Sequence, residues 1–291
     1  MINYPNDRDL VEQASACGIP EPVLVRDIVR LVEVLNLKRK DFFTKRSVLA
    51  GSMALRCFDS PRFTVYDADF STSADAVHPP TSLKGLLAYQ DDALEITPAS
   101  LVPHDDAGTA WKSAPIAYNP VFTSLVPNPA DREFKADVSF RGVMLDGFER
   151  ELVVPYELEL WDEPPVVFIM DPHETVAEKT LGWCAHQQLK HYADLAYIAL
   201  VSRDGEGQLI KLNNAKLRTT LADKLEAMRK LQSNIYEPFP HVDALIDKLE
   251  EIPIFPVLQW QRIMYVRQAR DRFTQEFLVR AVRELLVPRF R

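Results

Sequence analysis

The sequence predicts an α+β fold, in which a small mixed sheet flanked by helices is followed by a helical C-terminal region. Two observations lead to this expectation. Short runs rich in β-branched and aromatic residues, typical of strands, are confined to the part before residue 172. From His173 onward, apolar residues recur at the three- and four-residue spacing of amphipathic helices. We therefore expect a core domain at 1–172 and a helical domain at 173–291.

The first domain is expected to contain an amphipathic helix at 22–37, with a proline at its start. A β-type run at 47–50 then meets Gly51 and Ser52, where a helical pattern begins. Residues 75–130 hold many of the 21 prolines and are expected to form loops with short strands. Further strands are expected at 62–71, 133–140, 151–160 and 166–170, with a turn at 144–147.

The second domain is predicted to be helical throughout. The breaks between helices fall at 204–205, 238–240 and 253–256, which are rich in glycine or proline. The expected helices are 173–189, 191–202, 208–233, 241–250, 257–270 and 272–286.

The composition is that of an ordinary globular protein, with 47% hydrophobic and 26% charged residues. No apolar run approaches the roughly 18 residues that span a bilayer, and the polar start is unlike a signal peptide. The three cysteines are scattered, which argues against a disulfide framework. Cys184 and His186 diverge on one helix, which argues against a zinc site with His191. We expect a cytoplasmic protein with no membrane partner.

The net charge of −8 is unevenly distributed. Residues 203–291 carry 16 Lys+Arg and 12 Asp+Glu, whereas residues 1–202 carry 18 and 30. An acidic half that binds metal and a mildly basic half suit an enzyme acting on a polyanion. The arginines of the last thirty residues are interleaved with Trp260, Tyr265 and Phe273, as in an RNA-facing surface. Two amphipathic helices with extended arginine side chains explain the same pattern slightly better.

The main chemical signal is the pair Asp67 and Asp69. Alternate residues of a strand share a face, so both carboxylates can hold one Mg²⁺ ion, which prefers oxygen ligands. Asp137, in a second predicted strand, offers a third carboxylate on the face of Lys135 and Ser139. Three carboxylates across two strands match the requirement of two-metal phosphoryl transfer. Taken alone, Asp67 and Asp69 are better explained as surface carboxylates at a strand end.

Gly51 and Ser52 form the second signal. A helix that starts here would offer free backbone N–H groups to a phosphate, and glycine lets the backbone approach closely. The serine hydroxyl can cap the helix or bond a phosphate oxygen. The order of Gly-Ser, helix, D-x-D strand and a later aspartate is much more specific than any of these features alone.

The sequence resembles the nucleotidyltransferase toxins of the AbiEii/MenT group, within the polymerase-β-like nucleotidyltransferase superfamily. Four stretches between about residues 8 and 200 carry the resemblance. They are GIPEPVLVRDIVRLVEVL with Arg26-Asp27, SVLAGSMALRCF, SPRFTVYDADFS and ETVAEKTLGWCAHQQLKHYADLAYIAL.

The resemblance implies specific roles for individual residues. Gly51 and Ser52 would hold the nucleoside triphosphate, and Asp67 and Asp69 would ligate Mg²⁺. Lys179 would reach the triphosphate, and Asp194 would orient that lysine or assist the acceptor hydroxyl. Independently of the resemblance, an aspartate beside the apolar run of its helix needs a partner, which Lys179 on the preceding helix can supply. Arg62 would be structural or would touch phosphate, and Asp137 follows the superfamily pattern as a metal ligand.

The implied activity is transfer of a nucleoside monophosphate from an NTP to the 3′ end of tRNA, in a bacterial toxin restrained by a cognate antitoxin. Two alternatives are open from the sequence. One is a nucleotidyltransferase that modifies a protein or small-molecule hydroxyl, which the acidic net charge favours. The other is a non-catalytic nucleotide-binding or regulatory module, against which the intact carboxylate pair argues.

Overall fold

The computed structural model describes residues 3–63, 67–73, 80–98, 101–103, 110–113, 116–118, 125–126, 133–139, 144–203, 205, 208–251, 269 and 272–291. Within this part the chain divides into two compact units. The first ends at Met170 and the second begins at Asp171. That each half folds as a domain of its own remains a prediction.

The first unit contains helices and strands of mixed order. In chain order its elements are α1 Asp7–Cys17, α2 Glu21–Arg39, β1 Ser47–Leu49, α3 Gly51–Ala54, a 3₁₀ turn Leu55–Phe58, β2 Asp67–Thr72, α4 Pro80–Leu87, β3 Tyr89–Gln90, β4 Glu95–Pro98, β5 Leu101–Pro103, β6 Ala110–Ser113, β7 Ile116–Tyr118, β8 Glu133–Ser139, β9 Phe148–Glu151 and β10 Val166–Ile169.

The centre of this unit is a mixed five-strand sheet in the order β8-β2-β1-β10-β9. Strand β2 runs parallel to β8 and antiparallel to β1, while β1 runs parallel to β10 and β10 antiparallel to β9. Strands β6 and β7 both pair with β8, and β4 continues from β7 to β3. The α+β fold with a mixed sheet and helical flanks is thus confirmed.

Helix α2 is almost completely buried, including several of its polar residues. The buried Asp27 carboxylate accepts two hydrogen bonds from the Arg56 guanidinium, one of them 2.7 Å from Nη1 to Oδ2. The Tyr156 hydroxyl donates a third, 3.2 Å long. Farther along, the Lys40 ammonium donates to the carbonyl oxygens of Gly85, Leu86 and Ala88, which close the C-terminus of α4. These bonds fix α2 against its neighbours through tertiary contacts rather than sequence-local ones.

The prediction of a strand at 151–160 is wrong. The strand ends at Glu151, and the following segment is held by isolated bonds, such as Leu152 N–H to the Pro165 carbonyl and Asn3 N–H to the Leu160 carbonyl. Pro155 lacks an N–H and interrupts any ladder. Leu152 and Leu160 are nevertheless buried, so their burial rather than pairing explains the apolar pattern.

Three other elements of the first unit differ from expectation. Helix α1 was not predicted; Asn6 caps it, accepting a hydrogen bond from Asp9 N–H, and Leu10 and Ala14 are buried. Helix α4 lies in a region expected to hold only loops and short strands. The helix expected after Gly51 is a single α-turn that continues as a 3₁₀ turn. Residues 64–66 of the strand predicted at 62–71 lie outside the described part of the chain.

The second unit is helical among its described residues. Its elements are α5 Pro172–His186, α6 Leu189–Val201, α7 Asn214–Leu231, α8 Ser233–Tyr236, α9 Val242–Glu250, α10 Gln275–Arg280, a π-helical segment Ala281–Leu286 and α11 Val287–Phe290. Helix α5 packs against α6, α7 and α9, and the π-helical segment packs against α6. The predicted helical C-terminal region is confirmed.

The helix predicted at 208–233 begins later, at Asn214. The side chain of Asn213 caps it by accepting a hydrogen bond from Lys216 N–H, while Leu209 and Ile210 N–H bond the carbonyl of Val201. The helix predicted at 257–270 lies outside the described residues except for Ala269. None of the described helices combines the length and apolarity that crossing a membrane requires.

Candidate active site

Asp69 is the central residue of the candidate site. It lies within β2 between Ala68 and Phe70, which are 0% and 1% exposed and pack into the core. Because side chains alternate along a strand, Asp69 lies on the opposite face of the sheet, where it is half-buried. The core therefore fixes the orientation of this carboxylate.

Asp137 occupies the matching position on the neighbouring strand. Strands β2 and β8 are parallel, and Asp69 and Asp137 are paired in register. Ala136 and Val138 are buried, so Asp137 lies on the same face as Asp69. Adjacent strands lie about 4.8 Å apart, which places the two carboxylates within reach of one cation.

Gly51 lies against the Asp69 side chain. A β-carbon built at position 51 would lie 1.9 Å from Asp69 Oδ2, which is far inside van der Waals contact. The backbone of Gly51 also has a φ of 63°, in the left-handed region that favours glycine. The Ala50 N–H donates to the Asp69 carbonyl oxygen at 2.9 Å and holds the two segments together. Only glycine meets both requirements.

Ser52 follows within the same turn and is buried. The sequence suggested phosphate binding at the start of a full helix, but α3 has only four residues. A single turn has little macrodipole, because the dipole grows with the number of aligned peptide groups. Any anion bound here would therefore depend on individual N–H groups and the Ser52 hydroxyl.

The donor chemistry of this face fits a divalent metal ion. Asp69 and Asp137 supply the hard carboxylate oxygens that Mg²⁺ or Mn²⁺ prefers. Among the side chains described, no cluster of three His, Cys, Asp or Glu residues is found. Asp67 begins β2, but its side chain lies outside the described ones, so its role as a metal ligand stays a prediction.

The structure places Arg62 and Asp27 in different surroundings. Arg62 is 8% exposed, and its role stays a prediction. Asp27 forms a buried ion pair with Arg56 in the interior of the first unit.

In the second unit, Lys179 on α5 and Asp194 on α6 form a buried ion pair. Lys179 Nζ lies 2.8 Å from Asp194 Oδ2, with side-chain exposures of 10% and 2%. The sequence predicted this pairing, because an aspartate beside an apolar run needs a partner. The pair fixes the lysine on its helix, whereas its catalytic role stays a prediction.

Lys224 on α7 is a buried cation that the sequence analysis missed. Its ammonium lies 2.6 Å from Glu174 Oε1 and 2.9 Å from Glu178 Oε1. Although burial disfavours the ammonium, the two carboxylates hold the pKa of Lys224 above its ordinary value. The spacing of Glu174 and Glu178, four residues apart on α5, was the available signal. This cluster joins α5, which carries Lys179, to α7.

Comparison with known proteins decides the family. A sequence model of the family described as nucleotidyl transferase AbiEii toxin, type IV TA system, matches residues 36–277, most of the chain. The chain belongs to the AbiEii family. This AbiEii protein is therefore a nucleotidyltransferase toxin of a type IV toxin–antitoxin system, and membership implies an NTP substrate and an antitoxin partner. Nucleotidyltransferases generally use divalent metal ions.

Three solved structures are similar to this AbiEii protein, and the first of them shares its fold. MenT4, a nucleotidyltransferase toxin from Mycobacterium tuberculosis H37Rv, is 15% identical with a TM-score of 0.63, over 97% of this chain and 86% of its own. A putative nucleotidyltransferase from H. pylori is 13% identical with a TM-score of 0.47, over 91% and 95%. JHP933 from Helicobacter pylori is 15% identical with a TM-score of 0.48, over 92% and 91%. No curated protein matches the chain.

Proposed function

We propose that this AbiEii protein transfers a nucleoside monophosphate from an NTP to the 3′ hydroxyl of tRNA in a Mg²⁺-dependent reaction. The hydroxyl oxygen forms a bond to the α-phosphorus, the bond to pyrophosphate breaks, and the hydroxyl proton is released. The observation that carries the proposal is the register pair Asp69 and Asp137, with the Gly51 backbone against the first carboxylate. This arrangement offers oxygen ligands and a close backbone approach at one place.

The residues of the first unit would divide the work as follows. Asp69 and Asp137, together with Asp67, hold Mg²⁺. When bound, the metal neutralises charge on the triphosphate and the leaving pyrophosphate. Ser52 and the backbone N–H groups after Gly51 bind phosphate oxygens directly.

Lys179 and Asp194 would serve the same reaction, as the resemblance to the family implies. A lysine ammonium is a point charge that binds phosphate well, and Lys179 is held by a buried carboxylate. Asp194 is then a positioning residue, because it acts through Lys179. Since burial already restricts both side chains, little conformational entropy remains to be lost on substrate binding.

Two observations support tRNA as the acceptor. The family consists of nucleotidyltransferase toxins, and the sequence resembles members that modify tRNA. Residues 203–291 also carry an excess of Lys and Arg over Asp and Glu, which suits a polyanionic substrate. Cytoplasmic tRNA would be the target, and a cognate antitoxin would restrain the activity.

The test is incubation of the purified protein with Mg²⁺, total bacterial tRNA and each α-labelled NTP in turn. We expect label on tRNA with one NTP, none when EDTA replaces Mg²⁺, and none with Asp69→Asn. Label on protein, or pyrophosphate release only in the presence of small-molecule extract, would replace tRNA with another acceptor. The absence of both label and pyrophosphate release from folded protein would contradict catalysis and favour a nucleotide-binding module.

A further inference from the structure

Two lysines lie at sheet positions directly beside the candidate metal ligands. In the ladder between β6 and β8, Lys112 is the register partner of Asp137. In the ladder between β2 and β8, Lys135 is the register partner of Asp67. Positions Lys112, Asp137 and Asp69 therefore form one row across three strands, and Lys135 and Asp67 form the next.

This order of charges has an electrostatic consequence. Two carboxylates directly opposite each other on neighbouring strands repel, whereas opposite charges at such positions attract. Asp69 beside Asp137 is a pair of the first kind, and it would be costly in the metal-free protein. The pairs Lys112–Asp137 and Lys135–Asp67 are of the second kind.

We propose that Lys112 and Lys135 are counter-charges of the carboxylate site that make it select a metal–nucleotide complex over a free metal ion. Positive charge beside the carboxylates weakens binding of a bare divalent cation. The same charge strengthens binding of an anionic triphosphate that brings its metal with it. This inference rests on the proposed function and names how its site selects its substrate.

The ordinary alternative is that Lys112 and Lys135 are solvated lysines without a role. Lys38 on α2 serves as the reference for such a lysine. It is an exposed lysine of the same unit, outside the sheet. The two site lysines differ from it because each is a register partner of an aspartate. At high effective dielectric, removal of a unit charge from a position next to a cation site changes an affinity about threefold to tenfold.

The experiment is a pair of calorimetric titrations of the full chain, one with Mg²⁺ alone and one with each α,β-methylene NTP in saturating Mg²⁺. Lys112→Met and Lys135→Met keep the aliphatic stem and remove the charge. We expect each variant to bind Mg²⁺ alone about threefold to tenfold more tightly and the Mg²⁺–nucleotide complex more weakly by a similar factor. Lys38→Met should leave both affinities unchanged, and Lys112→Arg and Lys135→Arg should resemble the wild type.

Failure of the proposed function and failure of the counter-charge role give different results. If the wild type binds neither Mg²⁺ nor any Mg²⁺–nucleotide complex, the proposed function itself fails. If the wild type binds both and the methionine variants behave like Lys38→Met, the counter-charge role is overturned. Should a methionine variant not fold, the matching Lys→Gln variant carries the same comparison.

Discussion

The Asp69 carboxylate lies so close to the Cα of Gly51 that a methyl group at position 51 would overlap it. The same glycine has a positive φ, so an alanine would also strain the backbone. The candidate metal ligand and the candidate phosphate-binding turn are thus in steric contact. A change in either one displaces the other.

Gly51→Ala should therefore lower the transfer rate about a hundredfold, because displacing a reacting group by about 1 Å has effects of this size. It should also cost about 1–2 kcal/mol of unfolding free energy. Rates of NMP transfer and urea unfolding measure the two effects. Gly85→Ala is the matched control: a β-carbon there meets nothing within 4 Å. Equal activity of both variants would show that the contact with Asp69 has no role.

Variants of the ion pair between Lys179 and Asp194 can separate a structural effect from a functional one. Asp194→Ala leaves the buried ammonium without this carboxylate and should cost about 3 kcal/mol of stability. The double variant Lys179→Met/Asp194→Leu removes both charges and should recover most of that loss. Its transfer activity should stay at the level of Lys179→Met. Recovery of activity along with stability would assign the pair a purely structural role.

The cluster of Asp27, Arg56 and Tyr156 should affect stability alone. Arg56→Met removes both guanidinium bonds from a buried carboxylate, and we expect a loss of about 3 kcal/mol. Tyr156→Phe removes one hydrogen bond and should cost about 1 kcal/mol. Urea unfolding measures both losses. The specific activity of the folded fraction of Tyr156→Phe should equal that of the wild type, and a large decrease would place the cluster in the active site.

The buried carboxyl group of Glu33 should make the stability of the folded chain depend on pH. Burial raises the pKa of this carboxyl group well above its ordinary value of 4.5, and Lys40 and Asn36 offset only part of the effect. The folded chain therefore keeps the proton at pH values where the unfolded chain has lost it. The stability that Glu33 contributes is complete below the unfolded-state pKa and is lost as the pH rises through the folded-state pKa.

Glu33→Gln, which cannot ionise, should therefore gain stability relative to the wild type as the pH rises from 5 to 8. The gain should be at most about 1.4 kcal/mol per pH unit. Urea unfolding at several pH values measures it. Glu151→Gln, at an exposed position of β9, is the control and should show no such trend. A constant difference between Glu33→Gln and wild type across the range would contradict the protonated state.

The parts of the site that depend on short-range geometry could be predicted from the sequence. The two-residue period of a strand put Asp137 on the opposite face from Val138, and the structure confirms this alternation. The pairing of Lys179 with Asp194 followed from the need of a buried carboxylate for a partner. Both inferences use rules that hold within one element or between consecutive helices.

Features set by tertiary contacts could not be predicted in this way. The sequence pattern groups Asp27 with its neighbour Arg26, but the partner of Asp27 is Arg56, 29 residues later. The segment after Glu151 alternates like a strand but has no strand to pair with among the described residues. The shortness of α3 reflects the turn to 3₁₀ geometry at Leu55. For Asp27 the decisive partner lies far away in sequence.

Asp69 and Asp137 are proposed to hold the metal for nucleotidyl transfer jointly. The most direct measurement is the single-turnover rate of NMP transfer for Asp69→Asn and Asp137→Asn, beside their thermal unfolding without metal. Loss of a ligand worth about 3 kcal/mol in the transition state slows transfer at least about a hundredfold. Removal of one of two adjacent like charges should leave the melting temperature unchanged or higher. We predict both results for both variants, whereas an Asp137→Asn variant with the wild-type rate would contradict the account.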